Sequence, residues 1–264
     1  MTRTQQLLLR CSGRAGILAA GVWAIVFVGM FAGLWRMRGI WLFYAFCTVV
    51  CVVAIAARAQ SVRERLIREA PLPRFLQRKL REAYPHFTPK DCALVERGLR
   101  QFFLACLRSR QRFVAMPSRA VDTLWHEFIL HTQAYRDWCR DAMGFFLHHT
   151  PAETLGQRAR NNDGLRRAWF WACKDEAIDP RAPTRLPLLF ALDAKLGIPN
   201  GFHYVPDCSG MEPKTADGGT VHCGTSFSDG GYSGDAGDFG GADADSGGDG
   251  DGGGGDGCGG GGGD

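Results

Sequence analysis

Residues 121–151 read VDTLWHEFILHTQAYRDWCRDAMGFFLHHTP and hold four of the chain's seven histidines: His126, His131, His148 and His149. Imidazoles beside a carboxylate are common ligands for zinc and iron and common general acid–base groups, so chemistry is sought here first. Asp122 and His126 stand four residues apart in a helical segment. The carboxylate can therefore accept one ring N–H and aim the other nitrogen outward. At about 100° per residue His131 falls roughly 140° around the helix from His126, too far for both to hold one ion from a straight helix. It faces Glu127 instead, also at i, i+4. A second ligand for anything held by His126 must come from His148 or His149, which requires the chain to fold back near Thr132.

Three uses of this cluster compete. Asp122, His126 and His148 can form a buried polar network that locks two helices together, shielded by Trp125 and Tyr135, and residue types alone favour this outcome. With His149 they can instead hold zinc or iron, or they can act as general acid and base. Cys139 falls in an apolar stripe, where a small buried thiol is the expectation rather than a zinc ligand. No catalytic residue is assigned, because the chain lacks C-x-x-C, H-E-x-x-H and G-x-S-x-G signatures and its folded part lacks a P-loop. His203 and Cys208, in GFHYVPDC, are a second cluster that reads as an ordered domain edge.

Helices must position these groups. Val121, Leu124, Trp125, Phe128, Ile129 and Thr132 recur with the spacing of a core-facing helix, and Tyr135, Trp138, Cys139, Ala142, Met143 and Phe146 repeat it in the next. Thr88-Pro89-Lys90-Asp91 and Thr150-Pro151-Ala152-Glu153 open helices with a hydroxyl cap, a first-turn proline and an acidic third residue. Asn161 to Asp163 cap another, and Pro187 starts LPLLFALDAKLG, which Gly197 ends. No alternating strand pattern stands out. The expected fold is all-α, with about six helices in a domain spanning residues 85–208.

Two apolar runs precede that domain. Gly16–Leu34 and Gly39–Ala57 carry no charge and are each long enough to cross a hydrocarbon layer about 30 Å thick. Only WRMR separates them, so they are expected to form a transmembrane hairpin over residues 16–57. Trp35, Trp41 and Tyr44 suit the interface. Arg3, Arg10 and Arg14 precede the first run and Arg58, Arg63, Arg65 and Arg68 follow the second, against Arg36 and Arg38 in the turn. The positive-inside rule then puts residues 1–15 and the C-terminal domain in the cytoplasm, on a multi-pass protein of the plasma membrane. A cleaved signal peptide is disfavoured, since no A-x-A-like site follows Leu34. The basic stretch 58–84, broken by Pro71 and Pro73, is expected as juxtamembrane helices at the lipid surface.

The other end differs in kind. Residues 209–264 are mostly Gly, Asp and Ser and are expected to be disordered. From Asp207 to Asp264 lie twelve of the 27 acidic residues and a single basic one, Lys214, so this piece carries −11 and the rest of the chain +15. That split suits a body resting on an anionic inner leaflet, with a tail open to a basic protein partner; no nucleic-acid partner is expected. The ten cysteines include no C-x-x-C pair, and most are expected as free thiols in a reducing compartment.

The run VDTLWHEFILHTQAYRDWC, followed by G-x-x-x-HH, resembles the bacterial branch of the glycine-rich domain-containing protein-like family, a domain of unknown function also found in plants. The likeness runs from LPRFLQRKLREAYP at Leu72 through MPSRAVD at Met116 to RLPLLFALDAKLGIPNGFHYVPDC, ending at Cys208. It singles out Asp122, Trp125, His126, Tyr135, Cys139 and His148. Plant members tend to read W-H-T-H where this chain has Trp125-His126-Glu127-Phe128, and H-D where it has His148-His149. The resemblance brings no reaction with it. A membrane-anchored, non-catalytic interaction or scaffold module is the expectation, with a metal-dependent enzyme such as a hydrolase as the alternative. A reporter fused after Asp264 is expected to be active as a cytoplasmic marker; alkaline phosphatase activity from that fusion would put the C-terminus on the opposite side.

Overall fold

The computed structural model describes residues 3–35, 39–150, 163–207, 221–227 and 241–244. Two long helices, α1 (Arg3–Phe31) and α2 (Ile40–Glu69), form the N-terminal hairpin. Both are long and apolar enough to cross a membrane, and almost none of their apolar surface is covered by the protein itself. Helix α2 does not stop where its apolar run ends. It continues as one rod to Glu69, so the expected separate juxtamembrane helix begins only at α3 (Phe75–Ala83).

That extension docks on the domain. Ala59 and Ile67 are buried. Arg108 of α4 (Pro89–Arg108) grips Glu64 through two hydrogen bonds at 2.6 and 3.1 Å, and Arg100 donates to the Ile67 carbonyl at 2.6 Å. Arg68 pairs with Asp175 at the end of α7 (Asp163–Asp175).

Helix α4 is the hub. Its start is the capping box that the sequence announces, with Thr88 N donating to Asp91 at 2.8 Å and Asp91 N to the Thr88 hydroxyl at 3.3 Å. From Phe102 to Leu107 every side chain is buried. Around it pack α5 (Arg119–Leu130), α7 and α8 (Leu188–Leu196), the last ending at Gly197 in the left-handed conformation, φ 60°. Gly98 permits the closest approach: a Cβ there would stand 2.4 Å from Leu192 Cδ1 and 2.9 Å from Val121 Cγ2.

The chain is mostly helical, but the all-α expectation needs correction. Strands β1 (Val114–Ala115), β2 (Leu147–Thr150) and β5 (Gly241–Ala244) form an antiparallel sheet with β5 in the middle, and β3 (His203–Val205) pairs in parallel with β4 (Val221–Cys223). Runs of two to four residues are too short to show a period-2 pattern, and their partners are far away in sequence. Two of these strands, β4 and β5, come from the segment expected to be disordered, and Phe227 just after β4 is buried against Trp169 and Phe190. Of the helix signal at Thr150–Glu153, Thr150 ends β2 and residues 151–153 lie outside the described residues, as do the Asn161 and Asn162 cap positions, Cys208 and the tail apart from 221–227 and 241–244; α7 begins at Asp163. Seven of the described cysteines form no disulfide, and Cys223 is disulfide-bonded.

One carboxylate ties α8 to the start of α5. Asp193, 1 % exposed, accepts from Ser118 Oγ at 2.6 Å, from the backbone N–H groups of Arg119 at 2.8 Å and Ala120 at 3.2 Å, and from Phe202 N at 3.0 Å. Ser118 in turn caps α5 by accepting from Val121 N. An acidic group at the first turn is where a helix N-terminus favours negative charge. Asp193→Ala strands four donors, two of them buried, and is expected to cost about 3 kcal/mol in urea unfolding. A loss below about 0.5 kcal/mol, typical of a neutral surface change, would show that the carboxylate is dispensable.

Candidate metal centre

Two members of the candidate cluster come from α5 and one from β2. Asp122 and His126 sit one turn apart on α5, as their spacing predicts, with Asp122 Oδ2 and His126 Nε2 at 3.4 Å. The helix then breaks at His131, whose backbone leaves helical space (φ −89°, ψ 66°). The stripe breaks with it, and Thr132 is exposed, not core. His131 Nδ1 meets the Glu127 carbonyl oxygen at 2.9 Å, so the expected contact with the Glu127 carboxylate gives way to closure of a helix end. Its ring stacks on Phe75 at 3.7 Å.

The chain folds back through α6 (Thr132–Trp138) and a π-helical turn (Cys139–Met143), then leaves at Gly144 with φ 81°. A side chain at 144 would suffer twice, from that backbone and from the Arg63 guanidinium, 2.5 Å from a Cβ. The second predicted helix therefore ends at Met143, and Phe146, placed in its stripe, lies on an extended segment with 40 % exposure. What returns to α5 is β2, not a helix.

Strand geometry decides between the two adjacent histidines, because neighbours point to opposite faces. His149 Nε2 stands 2.8 Å from His126 Nε2 and 3.3 Å from Asp122 Oδ1. His148, singled out by the resemblance and by the network reading, packs beside Phe146 at 4.7 Å and is not in the cluster. Of the candidate residues Asp122, His126, His148 and His149, the structure brings together Asp122, His126 and His149, whose ligand atoms all lie within 4.8 Å of one another, and leaves His148 on the other face of the strand. Trp125 is buried with its ring 4.8 Å from that of His149, as a shield should be. Cys139 is buried beside Tyr135 and the Leu147 carbonyl, away from the ligand atoms, and burial pushes its thiol pKa up.

The cluster is open. The His126 side chain is 53 % exposed and that of Asp122 37 %, whereas His149 is at 14 %. Burial pushes the Asp122 carboxyl up, but hydrogen bonds and charge from His126 and His149 outweigh it and hold the group at about 2. The same bond to Asp122 raises His126 against the opposing effect of burial.

Protons alone do not satisfy every contact in the cluster. Two neutral imidazoles whose Nε2 atoms hydrogen-bond to each other share one proton, so one Nε2 presents only a lone pair to the carboxylate 3.3–3.4 Å away. If both Nε2 atoms are protonated, two N–H groups oppose each other at 2.8 Å. Either state leaves one contact repulsive. A cation between the three atoms removes the conflict, since all three then offer electron pairs to it.

The profile of the UCP032817-like family matches residues 62–227. The chain belongs to this family, which is uncharacterised. The matched region contains the whole cluster and runs from the α2 extension to Phe227, past the expected domain end at Cys208. No curated protein and no solved structure matches the chain.

The Asp122–His126–His149 set also predicts how stability varies with pH. In the metal-free protein His126 binds its proton more tightly when folded. Its contribution is therefore complete below the unfolded value of about 6.5 and is lost as pH rises through the raised folded value. Asp122, with its lowered pKa, contributes above its unfolded value of about 3.9, and that contribution is lost as pH falls toward about 2. Thermal melting of chelator-treated protein is expected to show a loss of stability as pH rises past 6.5, absent in Asp122→Asn; parallel profiles for the two proteins would contradict the coupling.

Proposed function

We propose that this protein is a membrane-anchored metalloprotein whose cytoplasmic domain holds one divalent transition-metal ion through Asp122, His126 and His149. The observation that carries this reading is the convergence of two Nε2 atoms, 2.8 Å apart, on one carboxylate with too few protons to satisfy every contact. Two imidazoles and a carboxylate suit zinc or iron(II). Exposure on the His126 side leaves room for water or substrate on the ion, which is the character of a catalytic rather than a closed structural site.

A bound ion would acidify a water molecule and act as a Lewis acid on a carbonyl or phosphoryl oxygen, so hydrolysis is the reaction class proposed. The geometry thus favours the enzyme alternative over a purely non-catalytic scaffold. The anchor reading rests on the two exposed apolar helices and on the arginines that flank them, which favour cytoplasmic termini at a plasma membrane with an anionic inner leaflet. A basic protein partner for the remaining acidic tail stays part of this proposal, supported by charge alone.

The full chain, purified in detergent after growth with zinc or iron, is expected to carry near-stoichiometric metal. Chelation should lower its melting temperature, by analogy with loss of about 2.7 kcal/mol when a ligand at one hundred times its Kd is removed. His149→Ala should lose both the metal and the chelator response, while His148→Ala keeps both. A metal-free wild type, or metal retained in His149→Ala, would refute the centre.

A further inference from the structure

Tyr135 lies between the two elements that supply the ligands. Its hydroxyl donates to the Leu147 carbonyl oxygen at 2.5 Å and accepts the Trp125 indole N–H at 3.2 Å. Trp125 is the residue before His126 on α5, and Leu147 stands two positions before His149 on β2, hence on the same strand face. One buried hydroxyl therefore fixes the distance between helix and strand at the level of the ligand atoms. Tyr135 is only 1 % exposed, and burial pushes its pKa far above the ordinary tyrosine value, so the hydroxyl stays protonated and can only donate to the carbonyl.

The ring itself is held separately, edge-on to Phe128 at 5.3 Å and to Phe146 at 5.5 Å. Packing and positioning are thus separable at this residue. Removing the hydroxyl keeps the ring contacts and cuts the link from Trp125 to Leu147. Beside the contacts that His149 itself makes to His126 and Asp122, that link ties β2 to α5 through α6, while the ladder with β5 holds the strand on its other side.

We infer that Tyr135 is the positioning residue of the metal centre: its hydroxyl sets the approach of His149 to Asp122 and His126 without touching the ion. This rests on the proposed metal centre and adds what sets its geometry. Groups one step removed from a metal typically change affinity 10–100-fold when lost.

The test uses full-length protein in detergent, with Zn(II) affinity measured by chelator competition and Co(II) as a spectroscopic probe. Tyr135→Phe is expected to bind Zn(II) 10–100-fold more weakly and to show altered Co(II) visible bands. Gln101→Ala provides the control: it breaks a buried network to Asp175, Glu176 and Leu189 away from the centre, and should lower the melting temperature with zinc affinity unchanged. Wild-type affinity and Co(II) bands in Tyr135→Phe would overturn the inference. If the wild type takes up no metal, the metal reading itself fails, and positioning is read from the apo protein with 15N-histidine labelling. There the His126 and His149 ring nitrogen signals should move away from their wild-type positions in Tyr135→Phe at one fixed pH; identical spectra in both would overturn it.

Discussion

The buried Asp193 carboxylate is the interaction on which the arrangement depends. It sits on α8, yet it holds the first turn of α5 through Ser118, Arg119 and Ala120, and reaches Phe202 ahead of β3. Charge-assisted bonds of this kind are directional, so they fix the position and rotation of α5 as well as its attachment. Rotation matters because Asp122 lies in that first turn and must leave the core, while Val121 and Leu124 on either side of it enter it. Ligand direction at the surface is therefore set by a carboxylate in the interior.

Much of this was legible in the sequence wherever the cause is local. The capping box at Thr88, the stop at Gly197, the i, i+4 relation of Asp122 and His126 and the two apolar runs each need only a few neighbouring residues, and each appears in the structure. What could not be read depends on distant partners. Asp193 looks like one polar residue in an apolar helix until its donor 75 positions away is known. The choice of His149 over His148 hangs on strand parity, and GADA, composed of residues poor in strand propensity, gives no sign that it will form the central strand beside them. A lone Asp amid LLFALDAKL and the adjacent pair His148-His149, of which only one can face α5, were the available signals.

The apolar hairpin and the domain are mechanically continuous. Helix α2 leaves its apolar stretch without a break, and its last turns carry Arg63 onto Gly144 and Glu64 onto Arg108. Gly144 starts the segment that leads to β2, so the helix lies against the turn preceding the third ligand. A hairpin used only as a tether needs a flexible linker; here the connection is rigid helix, and the domain's orientation to the hairpin follows from the direction of α2.

The place of β5 in the sheet also has a consequence in time. Asp122 and His126 come together as soon as α5 forms, but the strand carrying His149 takes its ladder from Gly241–Ala244. Synthesis proceeds at roughly 5–20 residues per second, so about 5–20 s separate His149 from its strand partner on the ribosome. Throughout that interval a nascent chain holds Asp122 and His126 side by side while the strand of His149 awaits its partner. Assembly of the three-residue cluster is thereby deferred until translation has passed β5.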